Sequence, residues 1–308
     1  MRSIKILFVL CFCTTAWTVS GQSNEELSQT YSKRYDIVAS KLGADGVGIE
    51  TILNDWEKVD SANVKMLTAK FNYYFTKAQS KSVVVKDTRK YLGMEPVLQL
   101  KDSTGRDVYY FQETFYEDSL FAKALKTLDK ALEFYPQRLD IHFLKTAALI
   151  SYEKDSPDMA LAELLDLVDM DVAGTMTWEY PDIEADTDFF NAAMQEYCYT
   201  FYNMGSMSSY EAFRVLSERM LKSYPKNTMF MSNLGTYYFV VVKDNKKALK
   251  FYDKVLKIKP DDYTAIKNSI LLARKTKNVK LEKKYLPLLA KYGTENERAA
   301  AEARLKSL

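Results

Sequence analysis

The feature that most constrains the fold is a spacing of side chains that occurs twice, 124 residues apart. AKALKTLDKALEFYP ends at Pro136, and NKKALKFYDKVLKIKP ends at Pro260. In each stretch a small residue, a bulky residue, a second small residue and a proline follow at offsets of four, three and five. The positions are Ala124, Leu128, Ala131 and Pro136, then Ala248, Tyr252, Val255 and Pro260. A spacing shared over this distance indicates an internal repeat.

Helical periodicity, broken by short turn signals, runs from Ser23 to the end of the chain. Ser23 followed by Glu26 matches a capping box at the start of a helix, and Gly43 is typical of its end. The connections are only a few residues long, and short connections make neighbouring helices antiparallel. Further helices are predicted at about 48–58, 62–79 and 118–135, and then almost continuously.

One segment interrupts the helical pattern: EPVLQLKDSTGRDVYYFQ at 95–112. Two runs rich in strand-forming residues flank the turn sequence DSTG. This arrangement predicts a β-hairpin inserted among helices.

The repeated stretches resemble the second helix of a tetratricopeptide repeat (TPR), which has the same residue types at the same offsets. The first helix of that repeat has Leu-Gly, two residues and then Tyr, and NLGTYYF at 233–239 supplies them. One residue more than the family pattern separates Gly235 from Ala248. Pro225 and Pro260 are 35 residues apart, close to the family period of about 34. One complete repeat therefore lies between the two prolines.

Tyr74 of NYYF matches Tyr238 of TYYF, so an earlier first helix is predicted there. Its second helix, ending at Pro136, is delayed by the inserted hairpin. The resemblance implies an all-α, TPR-like α-solenoid of antiparallel helix pairs with one inserted β-hairpin. The predicted segments are a signal peptide at 1–21, N-terminal helices at 22–60, a first pair at 61–136 with the hairpin at 95–112, and TPR-like repeats over 137–308. Within the last segment the pairs are 139–171, 186–225, 227–260 and 261–292, followed by a capping helix at 294–307.

In this family the stacked pairs curve into a superhelix with a concave groove, which receives a peptide or a partner helix. One face of each first helix lines the groove. The resemblance places nine residues on that face: Asn72, Phe75, Tyr197, Phe201, Asn233, Thr236, Phe239, Asn268 and Arg274. The aromatic members have two interpretations, packing in the core or lining the groove for a peptide or sugar.

The first residues, MRSIKILFVLCFCTTAWTVSGQ, have the layout of a cleavable secretory signal. The apolar run at 6–17 is well short of the roughly 20 residues of a membrane-spanning helix. We therefore expect a bacterial protein exported to the periplasm or cell surface, without a transmembrane segment. Removal of 1–21 would leave Cys198 as the single cysteine, so no internal disulfide is expected.

One histidine, His142, is present in 308 residues. This makes Ser-His-acid triads, multi-histidine metal sites and histidine-based acid–base pairs improbable. The favoured interpretation of His142 and of Cys198 is a packed structural residue. We expect no catalytic residue, no metal and no cofactor.

Charge is divided sharply along a chain whose formal net charge is +2. Residues 153–196 include 13 acidic side chains and one basic one, whereas 243–291 include 15 basic and five acidic ones. Solvated outer faces of different sign are the simplest interpretation. The functional alternatives are an anionic partner at the basic end, or self-association of the acidic middle with the basic end. No nucleic-acid motif accompanies the lysines, so no nucleic-acid partner is expected.

The acidic loop WEYPDIEADTDFF at 178–190 has two chemical interpretations. Its alternating acids resemble a calcium loop, but Thr187 stands where such a loop needs glycine, and Ala193 where it needs a glutamate. Paired carboxylates could also serve glycoside hydrolysis. A solvated surface next to a helix N-terminus is the more common arrangement.

We therefore expect a non-catalytic, exported scaffold or adaptor that binds a protein or peptide in a concave groove. The alternatives from other classes are a glycan-binding module and a hydrolase that uses the acidic loop at 179–188.

Overall fold

The structure, a computed structural model, describes residues 23–308, so the predicted signal peptide at 1–21 lies outside the described residues. The Ser23 hydroxyl accepts the Glu26 N–H and the Glu26 carboxylate accepts the Ser23 N–H, which confirms the predicted capping box. Gly43 ends this helix with a φ of 85°, which favours glycine. The first three helices are α1 (Asn24–Leu42), α2 (Ile49–Val59) and α3 (Val64–Ala78).

A three-stranded antiparallel sheet follows α3 directly. Its strands, in the spatial order β1-β3-β2, are β1 (Gln79–Lys86), β2 (Leu98–Lys101) and β3 (Asp107–Tyr116). The predicted hairpin is present as β2 and β3, and the Asp102 carboxylate in its turn accepts the N–H groups of Thr104 and Arg106. The sequence predicts no strand at 79–86, because QSKSVVVK lacks a regular alternation of polar and apolar residues. The insertion is therefore larger than predicted by one strand.

Helices form the rest of the chain: α4 (Asp118–Phe134), α5 (Leu139–Glu153), α6 (Asp158–Ala173), α7 (Thr187–Met204), α8 (Met207–Ser223), α9 (Thr228–Tyr237), α10 (Asn245–Ile258), α11 (Tyr263–Lys275), α12 (Val279–Tyr292) and α13 (Glu295–Ser307). Consecutive helices pack in pairs, α3 with α4, α5 with α6, α7 with α8, α9 with α10 and α11 with α12, and α13 packs on α12. The first helices α7, α9 and α11 lie side by side, because α9 contacts both of the others, and the second helices α6 and α8 also contact each other. This is an all-α, TPR-like solenoid with a small inserted sheet, as predicted.

The repeated spacing marks the side chains that hold each pair together. All six are completely buried: Ala124, Leu128 and Ala131 in α4, and Ala248, Tyr252 and Val255 in α10. Gly235 of α9 faces the ring of Tyr252, since a Cβ at 235 would lie 2.5 Å from the ring atom Cε1. The glycine of the repeat motif is therefore required by close packing of a ring against the helix backbone.

A π-helical turn at Tyr238–Val242 connects α9 to the loop before α10. Such a turn holds about one residue more than a turn of α-helix. It therefore accommodates the extra residue between Gly235 and Ala248 and keeps both in their buried positions. Lys243, with a φ of 62°, then reverses the chain, and Asp244 caps α10.

One face of the sheet is fixed to the helices. Phe111 and Glu113 of β3 are buried, and the Glu113 carboxylate lies 2.5 Å from Lys154 Nζ at the end of α5. In the loop between β1 and β2, a Cβ on Gly93 would lie 2.9 Å from the carbonyl oxygen of Asn203 in α7. The sheet is thus held against α5 and α7 at separate points.

Buried side chains form one large cluster from α2 to the start of α9, a smaller one between α9 and α11, and a third between α11 and α13. In the part of the chain that the structure describes, no helix combines the length and the apolar character needed to cross a membrane.

Candidate functional site

The nine residues predicted to line the groove differ in exposure and in location. The three buried residues are Phe201, Phe239 and Asn233. The four half-buried ones are Phe75, Tyr197, Thr236 and Asn268, and the two exposed ones are Asn72 and Arg274. Those on α7, α9 and α11 are brought together, because these helices lie side by side. The two on α3 are separate from them, because α3 packs against α2 and α4.

Asn233 is the centre of a hydrogen-bonded seam between the first helices. Its amide nitrogen donates to Gln195 Oε1 of α7 at 2.8 Å and to Ser217 Oγ of α8 at 3.2 Å. Its oxygen accepts from Gln195 at 3.2 Å. In the next repeat, Asn268 of α11 donates to Thr236 Oγ1 of α9 at 3.4 Å. The polar groups of Asn233 are therefore satisfied within the protein and join its repeat to the preceding pair of helices, α7 and α8.

The predicted groove aromatics on α3 and α7 make core contacts. Phe75 stacks on Phe71 with ring centroids 5.1 Å apart, and Phe201 is completely buried. The Tyr197 hydroxyl donates to the carbonyl of Phe143 at 3.4 Å, and burial raises the pKa of its phenol. These contacts agree with the interpretation that the aromatic side chains on α3 and α7 pack in the core.

Phe239 and Arg274 contribute to the packing around α11. Lys275 Nζ lies 4.8 Å from the centroid of the Phe239 ring, a cation–π contact between repeats. Arg274 pairs with the buried Glu282 of α12 at 2.9 Å, and Arg304 of α13 binds the same carboxylate at 3.0 Å. Hydrogen bonds from Arg304 and Arg274 hold the pKa of Glu282 below its ordinary value.

Exposed apolar side chains follow this seam on three successive first helices. Tyr199 on α7, Val240 in the π turn and Leu271 on α11 are 60%, 39% and 55% exposed, and each lies one or two turns after a seam residue. With Met229 at the start of α9, also 39% exposed, they are named the first-helix surface. Sequence reasoning missed them, although Leu271 lies 35 residues after Thr236, at the same repeat position. The repeat period alone could have identified it.

The acidic loop borders a cleft of about 570 Å³. Trp178 at its start is buried, stacks on Phe190 with centroids 6.1 Å apart, and donates its indole N–H to Asp171 at 2.9 Å. The Asp186 carboxylate accepts the N–H of Phe189 at 2.8 Å and so caps α7. Trp178 is therefore a core residue, and Asp186 stabilises a helix N-terminus.

Both charged segments present unpaired side chains on exposed surfaces. Five lysines of α10 are exposed and have no carboxylate within 4.0 Å among the described residues: Lys246, Lys247, Lys250, Lys254 and Lys257. In the acidic segment, Glu163 and Asp169 make ion pairs, whereas the exposed Asp158, Asp166 and Glu184 make none within residues 23–308.

His142 and Cys198 are packed residues, as predicted. His142 Nδ1 lies 3.1 Å from Glu163, and its Nε2 lies 3.0 Å from the carbonyl of Pro136. Burial of Glu163 acts against its ionisation, but hydrogen bonds from His142 and Lys145 hold its pKa below the ordinary value. Cys198 is fully buried, and burial raises the pKa of its thiol to about 12.

Across residues 23–308, no group of three or more His, Cys, Asp or Glu side chains could hold a metal ion.

No family model matches the chain, and no curated protein matches it. One solved structure, described as "Functional Characterization of Pseudomonas Aeruginosa pilF", is similar over 91% of this chain and 99% of that chain. The two sequences are 11% identical, and the TM-score is 0.32. A similarity of this size carries no argument about function, so the fold assignment depends on the helices and contacts described above.

Proposed function

We propose that this protein is a non-catalytic, exported scaffold that binds an extended segment or a helix of a partner protein. The observation that carries the proposal is the first-helix surface, where Tyr199 on α7, Val240 in the π turn after α9 and Leu271 on α11 are exposed. Apolar side chains that are contiguous on a protein surface are typical of interaction sites. A stack of helix pairs presents them without further ordering, which limits the entropy lost on association.

A library of random peptides displayed on phage and selected on the purified protein would test this site. We expect enriched peptides with apolar residues at regular spacing. Leu271→Glu should weaken their binding by about tenfold or more, because it places a charge in an apolar contact. Lys257→Glu on α10 is the matched control and should leave peptide binding unchanged.

Both substituted side chains are exposed, so circular dichroism should show an unchanged fold for both variants. Selected peptides that bind the Leu271→Glu variant as tightly as the unmodified protein would remove the first-helix surface as the binding site. Failure to enrich any peptide would count against the scaffold function itself.

The cleft at the acidic loop supports the two alternative functions, a glycan-binding module and a hydrolase. Glu179, Tyr180 and Glu184 line it. Oligosaccharides from bacterial envelopes would serve as probes. Binding or cleavage that is lost in Glu184→Gln, in a protein that enriches no peptide, would favour these alternatives over the scaffold.

Export to the periplasm or cell surface stays a prediction from the N-terminal sequence, and sequencing of the mature protein should begin at Gln22. Self-association through the acidic middle and basic end is supported by the unpaired charges of the two segments. Because those charges are exposed, such association should weaken steeply as salt concentration rises.

A further inference from the structure

Strand β1 has an open edge. In the order β1-β3-β2 it pairs with β3 on one side, and no strand within residues 23–308 pairs with its outer side. Its outward N–H and C=O groups can therefore pair with another strand. We propose that this strand is β1 of a second copy, antiparallel across a two-fold axis at Val84. Two sheets of three strands would then form one sheet of six.

The sequence of β1 is complementary to itself in this register. With the axis at Val84, Val83 of β1 lies opposite Val85 of the second copy. If the register is continued one residue past the end of β1, Lys81 lies opposite Asp87, which directly follows the strand. Lys81 and Asp87 are both exposed, and neither makes an ion pair within the described residues. Two Lys–Asp contacts, one at each end, therefore flank a central group of valines.

Neighbouring two-fold registers lack this complementarity. An axis at Val83 would place Lys81 opposite Val85, and an axis at Val85 would place Asp87 opposite Val83. Each of these pairs a charge with an apolar side chain. Lysines on an edge strand normally discourage pairing with unrelated strands. In the register centred on Val84, Lys81 meets a carboxylate instead, so the same residue that discourages other strands favours a second copy.

The sheet face that turns away from the helices supports the same arrangement. Val83 and Val85 of β1 are 58% and 55% exposed, and Leu98 and Leu100 of β2 are 49% and 47% exposed. Val85 and Leu98 lie on either side of Tyr110 in β3, so these side chains share one face. A two-fold axis perpendicular to the sheet keeps this face on the same side in both copies. Val83 and Val85 then acquire apolar neighbours across the new strand pair.

The edge is held in place before any association. The other face of the sheet is attached through Glu113 to Lys154, which directly follows α5, and the loop after β1 packs closely against α7 at Gly93. A strand that is already ordered loses little entropy on pairing. One strand pair is a small interface, so we expect dissociation constants on the order of micromolar. The inference is independent of the proposed peptide site on α7, α9 and α11.

A charge exchange tests the register. Analytical ultracentrifugation would measure the dimer dissociation constant of the unmodified protein, Lys81→Asp, Asp87→Lys and the double variant. Each single variant places like charges opposite each other at both ends and should weaken the dimer by about tenfold. The double variant restores both opposite-charge pairs and should recover the original affinity. Lys101→Asp on the exposed β2 is the control and should leave the constant unchanged.

Disulfide crosslinking tests the position of the axis. Val84→Cys places two thiols directly opposite each other, at a Cα separation of about 5 Å that a disulfide can bridge. In the Ser80→Cys variant, the two introduced cysteines would be offset by eight positions along the paired strands, which is about 26 Å, and should not crosslink. In protein that lacks residues 1–21, Cys198 is the remaining native cysteine, and it is buried and does not interfere.

Crosslinking of Val84→Cys alone, with recovery of affinity in the double charge variant, is the expected result. A protein that remains monomeric at the highest concentrations reached would overturn the proposal. So would a dimer that is unaffected by Lys81→Asp and Asp87→Lys. A dimer that dissociates completely at high salt and is weakened by Lys254→Glu would also overturn it, in favour of association through the oppositely charged segments.

Discussion

The absence of a Cβ atom at Gly235 allows the two helices of the repeat, α9 and α10, to pack closely together. Gly235 has no Cβ, and the Tyr252 ring occupies that space, with its hydroxyl 3.3 Å from Thr236 Oγ1. Burial raises the pKa of the Tyr252 phenol to about 12, so the ring is neutral at any physiological pH. In the earlier repeat the same position holds Leu128. Glycine and tyrosine at these two positions therefore depend on each other.

Gly235→Ala should lower the free energy of unfolding by about 1–3 kcal/mol, because the new Cβ displaces a fully buried ring. The sign of this stability change is informative, because without the steric contact alanine would stabilise the helix by about 1 kcal/mol relative to glycine. Urea unfolding followed by circular dichroism measures the change. Combining Gly235→Ala with Tyr252→Leu should remove most of the steric cost. Leucine is chosen because it is the residue at the equivalent position, 128, of the earlier repeat. A single variant as stable as the unmodified protein would show that this contact does not limit the packing.

Cys198 should be unreactive in the folded protein. Its thiol is fully buried and burial raises its pKa to about 12, while only the thiolate attacks disulfide reagents. For protein that lacks residues 1–21, and with them Cys11 and Cys13, we expect no reaction with Ellman's reagent at about pH 8 and one equivalent of reaction after unfolding in urea. Rapid reaction without urea would mean that α7 and α8 separate readily.

At the scale of elements, the first helices are joined by side-chain hydrogen bonds as well as by apolar contact. Asn233 connects α9 to α7 and α8, and Asn268 connects α11 to α9. Buried amides of this kind cost free energy when a partner is removed, because the remaining polar groups stay unsatisfied.

Asn233→Ala should therefore lower the free energy of unfolding by about 1–3 kcal/mol, since it removes the amide that pairs with Gln195 and donates to Ser217 Oγ. Asn72→Ala is the matched control. Asn72 is exposed and was predicted for the same groove face, so its removal should change stability by less than about 0.5 kcal/mol. Equal effects of the two substitutions would contradict a structural role for the seam.

The contact between α5 and α6 should make stability depend on acid pH. The pKa of Glu163 is lower in the folded protein, so its contribution to stability is present above the ordinary carboxyl range and is lost as pH falls. Glu163→Gln should lose less stability than the unmodified protein between about pH 5 and pH 3. Glu184→Gln, at an exposed carboxylate without an ion pair among the described residues, should follow the unmodified protein. Chemical unfolding at several pH values would show whether the two substitutions differ.

At the scale of the whole molecule, the protein is a linear stack in which helix pairs contact mainly their neighbours. Within residues 23–308, buried side chains form three clusters along the chain, with a small C-terminal one between α11 and α13. Opening a terminal unit of such a stack breaks fewer contacts than opening a central one.

Leu286→Ala, a fully buried position in α12, should accelerate amide hydrogen exchange in α11–α13 and leave α5–α7 unchanged. Leu164→Ala in α6, equally buried in the large cluster, is the matched control and should accelerate exchange in α5–α7. Hydrogen exchange measured by mass spectrometry resolves these regions. Equal acceleration along the entire chain for Leu286→Ala would show one cooperative unit instead.

The sequence alone determined the repeat and the helix ends. Buried small and bulky residues must recur at the same offsets wherever the same two helices pack, so the spacing by itself assigns Ala124 and Ala248 to the core. The capping box at Ser23 is likewise local, because the groups that it satisfies lie within one turn.

Only the tertiary structure decided which groove residues are covered and where the sheet ends. Thr236 and Leu271 lie at the same repeat position, yet Thr236 is half-buried and Leu271 is exposed, a difference that the repeat spacing does not give. Strand β1 is defined by its pairing with β3, which begins about 20 residues further along the chain. Helical periodicity and helix caps depend on residues that are close in the sequence, so a local pattern predicts them. Burial and strand pairing depend on contacts between distant segments, and a single sequence does not show which distant segments are in contact.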